Sequence, residues 1–230
     1  MIDQPIHDVA QPDGERAEIA QRVEQIFSDA GAYREGHFRL KSGRHADRYI
    51  EKFQVLQWPE RVTELCRLMA DRAWSPGGTS AVDVVIGPTT GGVILAYEVA
   101  RQLGVRGIFA ESASEDDGSK RRELRRGFEI KPGERVLLVD DVVTTGESLA
   151  EMVPLIEKMR GEILVVTVLV DRTGGLTEVT SPTSGRTYRA EALWSLSLPT
   201  FEASDEACPG CASGLPLEAP GSSGLSNFPP

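Results

Sequence analysis

Two adjacent acids, Asp140 and Asp141, follow the apolar run Val136-Leu137-Leu138-Val139 and precede Val142-Val143-Thr144-Thr145-Gly146-Glu147-Ser148. An apolar strand thus ends in a pair of carboxylates, then a short turn of hydroxyl residues and glycine that opens a helix. Thr144, Thr145 and Ser148 offer hydroxyl donors, Gly146 lets the backbone come close, and the free N–H groups at the helix start favour an anion. A phosphate fits that cradle. Two carboxylates beside it would repel the phosphate, so they need a different partner. Vicinal sugar hydroxyls or a hydrated Mg²⁺ match an acid pair next to a phosphate nest. A phosphorylated ribose satisfies both halves. The plain alternative is that the acids only cap the turn, which is the usual role of a single acid before a helix. Two acids followed by Thr-Thr-Gly-x-Ser fit that alternative poorly. The segment is not a P-loop, because it lacks the spaced glycines and the lysine.

The elements that position this turn can be read from periodicity. Ile19, Val23, Ile26, Phe27 and Ala30 share one helical face, and Gly31 ends it. Gly36 to Gly43 reads as a strand running into a turn, and Glu60 to Ala73 as a helix stopped by Ser75-Pro76-Gly77-Gly78. Val82 to Ile86, Gly107 to Ala110, Arg135 to Val139 and Ile163 to Val170 are apolar strands. They alternate with helices over Val93 to Leu103, with Tyr97 facing inward, and Leu149 to Met159. Strands buried on both faces and alternating with amphipathic helices predict an α/β fold with a mainly parallel sheet flanked by helices. In such a sheet ligands sit outside the carboxyl ends of the strands, where the acid pair falls. Residues 1–14 read as a flexible tail, 15–200 as one domain, and 201–230 as an irregular tail rich in Cys, Pro and Gly. The charged stretch Ser112 to Arg126 reads as a mobile loop or hairpin.

Composition bounds the rest. The 230 residues carry 25 Lys and Arg against 35 Asp and Glu, a net charge of −10. That balance argues against a nucleic-acid partner held by general phosphate attraction. No apolar run approaches the roughly 20 residues that span a bilayer, so no membrane partner is expected. The first residues lack a secretory pattern, and 3 cysteines are too few for a disulfide framework, so a cytoplasmic protein is expected.

The segment Val139 to Ser148 resembles the phosphoribosyl-diphosphate (PRPP) signature of type I phosphoribosyltransferases. Gly36-His37-Phe38-Arg39-Leu40-Lys41-Ser42-Gly43-Arg44-His45, followed by Tyr49 and Lys52, resembles the N-terminal segment of the orotate phosphoribosyltransferases. Gly87-Pro88-Thr89-Thr90-Gly91-Gly92 sits where that family binds pyrophosphate, and Val170-Asp171-Arg172 resembles its orotate-carboxylate strand end. The resemblance runs in order from about Ile19 to Leu198. It implies the type I phosphoribosyltransferase fold with a small hood formed mainly by residues 15–58. It also implies orotidine 5′-monophosphate and diphosphate as products of PRPP and orotate, Mg²⁺ as cofactor, pyrimidine biosynthesis as setting, and a homodimer. By the same resemblance, Asp140 and Asp141 hold the ribose hydroxyls and, directly or through water, Mg²⁺. Val142, Val143, Thr144, Thr145, Gly146, Glu147 and Ser148 form the PRPP turn, with Thr144 also against orotate. Thr89, Thr90, Gly91 and Gly92 receive pyrophosphate, Lys41 reaches it from the hood, and Arg172 pairs with the orotate carboxylate. The plain alternatives are a solvated surface charge for Lys41 and, for Arg172, a salt bridge to Asp171 or another surface acid.

The chain departs from the family at the mobile loop. The usual Lys- and His-bearing run is replaced by Glu111 to Arg122, which has no histidine. Lys120, Arg121 and Arg122 are the nearest candidates for its catalytic cation, Lys120 first. The pyrophosphate turn has Thr90-Gly91 where Tyr-Lys is common. Leu124-Arg125-Arg126-Gly127-Phe128 fits a divergent branch. A purine or uracil phosphoribosyltransferase and a catalytically silent PRPP-sensing regulator are the competing readings. Cys66 reads as core packing. Cys208 and Cys211 form a lone C-x-x-C. A structural zinc takes four ligands and no histidine follows His45, so zinc would need partners from elsewhere, such as a second subunit. A reduced solvent-facing pair or a disulfide is the preferred reading. His7, His37 and His45 show no ligand spacing and receive no role.

Overall fold

The computed structural model describes residues 13–40, 42–73, 80–114 and 120–220. Lys41, the Ser75-Pro76-Gly77-Gly78 break, Glu115-Asp116-Asp117, His7 and the last part of the C-terminal tail lie outside the described residues, as does nearly all of the N-terminal tail.

The chain begins with α1 (Asp13–Asp29), the hairpin β1 (Tyr33–Arg39) and β2 (His45–Ile50), then α2 (Phe53–Leu56) and α3 (Pro59–Ala70). Pro59 starts α3, where its missing N–H would have had no helical partner. Next come β3 (Val84–Pro88), α4 (Gly91–Leu103), β4 (Arg106–Ser114), β5 (Lys120–Glu123), β6 (Arg135–Val143), α5 (Glu147–Lys158), β7 (Glu162–Asp171), β8 (Glu178–Thr180) and β9 (Thr187–Ser195). Finally β10 (Thr200–Phe201) and α6 (Pro209–Ala212) return to the hairpin. The main sheet has the order β5-β4-β3-β6-β7-β9-β8. Its inner strands β4, β3, β6, β7 and β9 are parallel, and β5 and β8 close the edges antiparallel.

Period-two alternation explains why the inner strands are continuous apolar runs. Val85, Leu137, Val139 and Leu169 face the cluster built with α1, α3 and α4. Val84, Ile86, Val136, Leu138 and Val166 face the opposite cluster, built with Leu149, Met152 and Ile156 of α5. Cys66 is fully buried in the first cluster, as packing requires. Tyr97 departs from expectation and is 70% exposed. Helix α4 starts at Gly91 and turns Leu95, Ala96, Val99, Ala100 and Leu103 inward instead.

The charged stretch is a hairpin: Glu111 to Ser114 of β4 pair antiparallel with Lys120 to Glu123 of β5. Period-two readout missed β2, β8 and β9 because their edges are polar. The first part of the expected irregular tail is ordered on the hood. β10 pairs with β2, and Glu218 bridges to Phe38 on the β1 side. Cys208 is buried, Cys211 is half-buried, and both are free thiols. The expected solvent-facing or disulfide pair is therefore replaced by thiols tucked beneath the hood. His37 and His45 meet them there, although chain spacing gave these histidines no role. Sequence order hid this because the four residues come from opposite ends of the chain.

Phe27 is fully buried between α1 and β9, with its ring centroid 5.7 Å from that of Trp194. Phe27→Ala removes this plug and leaves a cavity the rigid sheet cannot collapse around. It should lower stability by about 3–5 kcal/mol, read as a fall in urea midpoint with an unchanged m-value.

Candidate active site

Three strands deliver their carboxyl ends to one edge of the sheet: β3 into the 88–91 turn, β6 into the acid pair, and β7 into Asp171-Arg172. The hood lies at the same edge and contributes Lys52.

Asp140 and Asp141 are both buried, at 5% and 2% exposure. Asp140 Oδ1 accepts from the Asp141 N–H at 2.8 Å, and its Oδ2 accepts from Ser148 Oγ at 2.9 Å. Burial first, and the neighbouring Asp141 second, push the Asp140 carboxyl up to about 6. Asp141 Oδ1 accepts from Lys52 Nζ at 2.8 Å. Its Oδ2 lies against the first residue of α4: a Cβ on Gly91 would fall 1.8 Å from that oxygen. Only glycine permits this approach, so the 88–91 turn and the acid pair form one surface. The Thr89–Thr90 peptide within that turn is cis.

Beyond the acids, Thr144 and Thr145 are exposed, and Gly146 adopts a φ of 82° as it caps α5. The first N–H groups of α5 therefore open outward beside two hydroxyls, an anion cradle backed by the helix dipole. The Ser148 hydroxyl is committed to Asp140, which leaves its backbone N–H for the cradle.

The next strand end separates two neighbours. The side chain of Asp171 is fully buried. Its Oδ1 accepts from Thr173 N and Oγ1, both at 2.7 Å, and its Oδ2 from Gly175 N at 3.0 Å and Leu176 N at 2.8 Å. Burial would raise its carboxyl, but the donors from Leu176, Thr173 and Gly175 prevail and hold it low. With both oxygens turned into that loop, the expected alternative of an Arg172–Asp171 salt bridge does not form. Arg172 is half-buried, and its Nε has no hydrogen-bond partner among the described residues. Burial lowers its guanidinium from the usual value, and Tyr49 of β2 opposes that. Its backbone N–H donates to the Val143 carbonyl at 2.8 Å, which sets Arg172 beside the turn that begins at Thr144.

On the far side, Arg122 of β5 pairs with Glu151 of α5 at 2.9 Å, and its Nη1 lies 3.5 Å from the Thr89 carbonyl. Of the three loop cations expected from sequence, Arg122 is seen at the 88–91 turn. Arg121 pairs with Glu123 at 2.5 Å. The side chain of Lys120, like Lys41, lies outside the described residues. The sequence reading gave Lys52 no role of its own. Its only signal is the Tyr-x-x-Lys spacing from Tyr49, and its contact with Asp141 is set by the fold.

A raised carboxyl binds its proton more tightly in the folded chain than in the unfolded one, so stability falls as pH climbs through the window from 3.8 to about 6. Asp140→Asn removes that penalty. The variant should melt roughly 2–4 °C above the parent at neutral pH. The gap should close below the lower end of the window, in calorimetric melts across pH.

Residues 53–198 match the phosphoribosyl transferase domain family. The orotate phosphoribosyltransferase of Desulforamulus reducens is 42% identical over 202 residues, covering 88% of this chain and 96% of the relative. That of Pelotomaculum thermopropionicum is 45% identical over 197 residues, covering 86% and 94%. Among solved structures, the orotate phosphoribosyltransferase of Aeropyrum pernix superposes with a TM-score of 0.57 at 26% identity, covering 76% of this chain and 93% of that one. The Mycobacterium tuberculosis protein of the same name gives 0.56 at 24% identity, a likeness of fold, over 79% and 97%. A domain match across more than half the chain, with whole-length relatives at this identity, shows that the chain belongs to the phosphoribosyltransferase family, on its orotate phosphoribosyltransferase branch.

Proposed function

We propose that the protein joins orotate to PRPP, forming orotidine 5′-monophosphate and diphosphate in pyrimidine biosynthesis. The observation that carries the choice of base is Arg172, a half-buried guanidinium with an unpartnered Nε beside the Thr144 turn. A planar fork of donors suits a carboxylate, which orotate has and uracil and adenine lack. The sites divide accordingly. Thr144, Thr145, Gly146 and the N–H groups of Glu147 and Ser148 take the 5′-phosphate. Asp140 and Asp141 take the ribose hydroxyls, and Thr89 to Gly92 take the diphosphate.

The ring nitrogen of orotate supplies the electron pair for the new bond to C1 of the ribose. The bond from C1 to the diphosphate oxygen breaks, and its pair leaves with diphosphate. Orotate reacts in the form ionised at the ring nitrogen as well as at the carboxylate, its N–H proton having passed to solvent, so no general base is required. Positive charge builds on the sugar near the buried acid pair, and negative charge builds on the leaving group near the α4 start. Preorganised donors and charges that meet this separation lower the barrier without reorganising. Lys52 holds Asp141 in place for that task.

The acid pair offers hard oxygen donors, which fit Mg²⁺. Three of the four carboxylate oxygens already accept hydrogen bonds or touch Lys52, which favours ligation through water and substrate oxygens. Bound there, Mg²⁺ would neutralise charge on the departing diphosphate. We assign the loop cation to Lys120, with Arg122 bracing the diphosphate turn, and assign Lys41 to the hood side of the diphosphate. A cytoplasmic homodimer that closes this loop over a neighbouring site completes the reading. Among the described residues no helix is long and apolar enough to cross a membrane.

Product formation from PRPP with orotate, uracil or adenine tests the assignment, and turnover should occur with orotate alone. Arg172→Ala should lower kcat/KM for orotate by about 10²–10³. PRPP affinity, measured by calorimetry, should stay near the parent value, and Arg172→Lys should not restore turnover. Equal use of uracil by the parent protein would reject the reading.

A further inference from the structure

Four ligand-bearing side chains that the reaction does not use meet under the hood. His37 from β1, His45 from β2, and Cys208 and Cys211 around α6 place one donor atom each within 4.8 Å of one another. His37 Nε2 lies 2.8 Å from His45 Nδ1, 3.5 Å from Cys208 Sγ and 3.6 Å from Cys211 Sγ. Cys211 Sγ lies 3.3 Å from His45 Nδ1. In a tetrahedral site with Zn–S near 2.3 Å and Zn–N near 2.0–2.1 Å, nitrogen and sulfur stand about 3.5 Å apart. The nitrogen–sulfur distances already have that spacing, and the two nitrogens need to part by only about 0.5 Å.

The surroundings select a metal-binding state. His37 Nδ1 lies 2.9 Å from the Leu215 carbonyl, which can only accept, so Nδ1 carries the proton and Nε2 presents its lone pair to the cluster. A backbone carbonyl that fixes the imidazole tautomer in this way is a usual outer partner of a metal-bound histidine. Gly210, inside the C-x-x-C, is pressed against the same ring: a Cβ there would fall 2.5 Å from His37 Cγ. The loop between the two cysteines is thus shaped to bring both sulfurs over the histidines. Cys208 is 2% exposed and each histidine 5%, so few water molecules reach the donors. Two thiols that lose their protons to solvent supply two negative charges, which cancel those of Zn²⁺ and leave a neutral buried centre. The soft sulfurs disfavour Mg²⁺ and Ca²⁺.

We propose that His37, His45, Cys208 and Cys211 bind a structural Zn²⁺ that clasps the Thr200–Pro220 segment to the hood hairpin. The ion sits outside the reaction centre. Its task is to fix the hairpin whose second strand leads to Lys52. The same segment is tied on both sides of the cluster, by β10 on β2 and by the Arg39 N–H donating to the Glu218 carbonyl at 2.7 Å.

The full chain, purified without added metal, should hold about one Zn²⁺ per chain by elemental analysis. After chelation it should bind Co²⁺ with the intense visible bands of a tetrahedral thiolate site. Cys211→Ser should lose most of the Zn²⁺ and those bands, whereas Cys66→Ala should keep both. Hydrogen exchange should show residues 200–220 losing protection on chelation while β3, β6 and β7 keep theirs. Should Cys211→Ser fail to fold, the Co²⁺ titration of the parent chain decides alone. Zn²⁺ content unaffected by Cys211→Ser, a Cys208–Cys211 disulfide in the purified chain, or Co²⁺ uptake without thiolate bands would overturn the assignment.

Discussion

The Asp141 carboxylate is held between Lys52 Nζ at 2.8 Å and the backbone of Gly91, and this contact ties together hood, sheet and glycine turn. One oxygen faces a cation from the hood and the other fills the space where any larger residue at 91 would carry its Cβ. The three pieces come from separate parts of the chain, so their agreement has to be set by the fold. A parallel sheet sets it by ending β3 and β6 side by side, with Val84, Val85 and Ile86 opposite Val136, Leu137 and Leu138. The strand interiors supply hydrophobic stability, and their ends are left free to carry groups that work against it.

The acid pair is such a group. Burial raises the Asp140 carboxyl, and a second carboxylate next door raises it further. The donors from Ser148 and the Asp141 backbone offset part of that penalty. Arg172 shows the same tension with the opposite sign, a cation half out of water with an unpartnered Nε. Two neighbouring strand ends thus carry opposite electrostatic penalties. The alternation of β7 keeps the two roles apart: Asp171 points inward and builds the loop, and Arg172, the next residue, points to the site.

The parts of this arrangement that depend on local pattern were legible in the sequence. The runs Val84 to Ile86, Leu137 to Val139 and Val165 to Val170 declare buried parallel strands, and the acid pair with its hydroxyl turn declares a strand end that opens a helix. What depended on distant pairing was not. β2 and β9 are polar on one side, and only partners elsewhere in the chain make them strands. Lys52 has no local signature beyond its spacing from Tyr49, and its meaning comes from Asp141. His37 and His45 read as unrelated until β1 and β2 pair and bring Arg39 opposite His45. Tyr97 is exposed because the buried face of α4 centres on Val99 and Leu103 and includes Leu95, which leaves residue 97 beyond its edge.

The hood raises a problem of size that the rest of the protein does not share. A two-stranded hairpin is marginal in water, and β1 and β2 have only a two-residue third strand beside them. Phe38, Ala46 and Cys208 are buried in the hood, yet they belong to neither of the two clusters that support the main sheet. So small an apolar nucleus cannot by itself hold a wall that must keep Lys52 within hydrogen-bonding reach of Asp141. Small units solve this with cross-links rather than with core. Here the chain returns from β9, adds β10 to one edge of the hairpin and Glu218 to the other, and sets two cysteines against two histidines between them. The last part of the chain is therefore structural support for the first, and the position of the Lys52 ammonium depends on residues far from it in sequence.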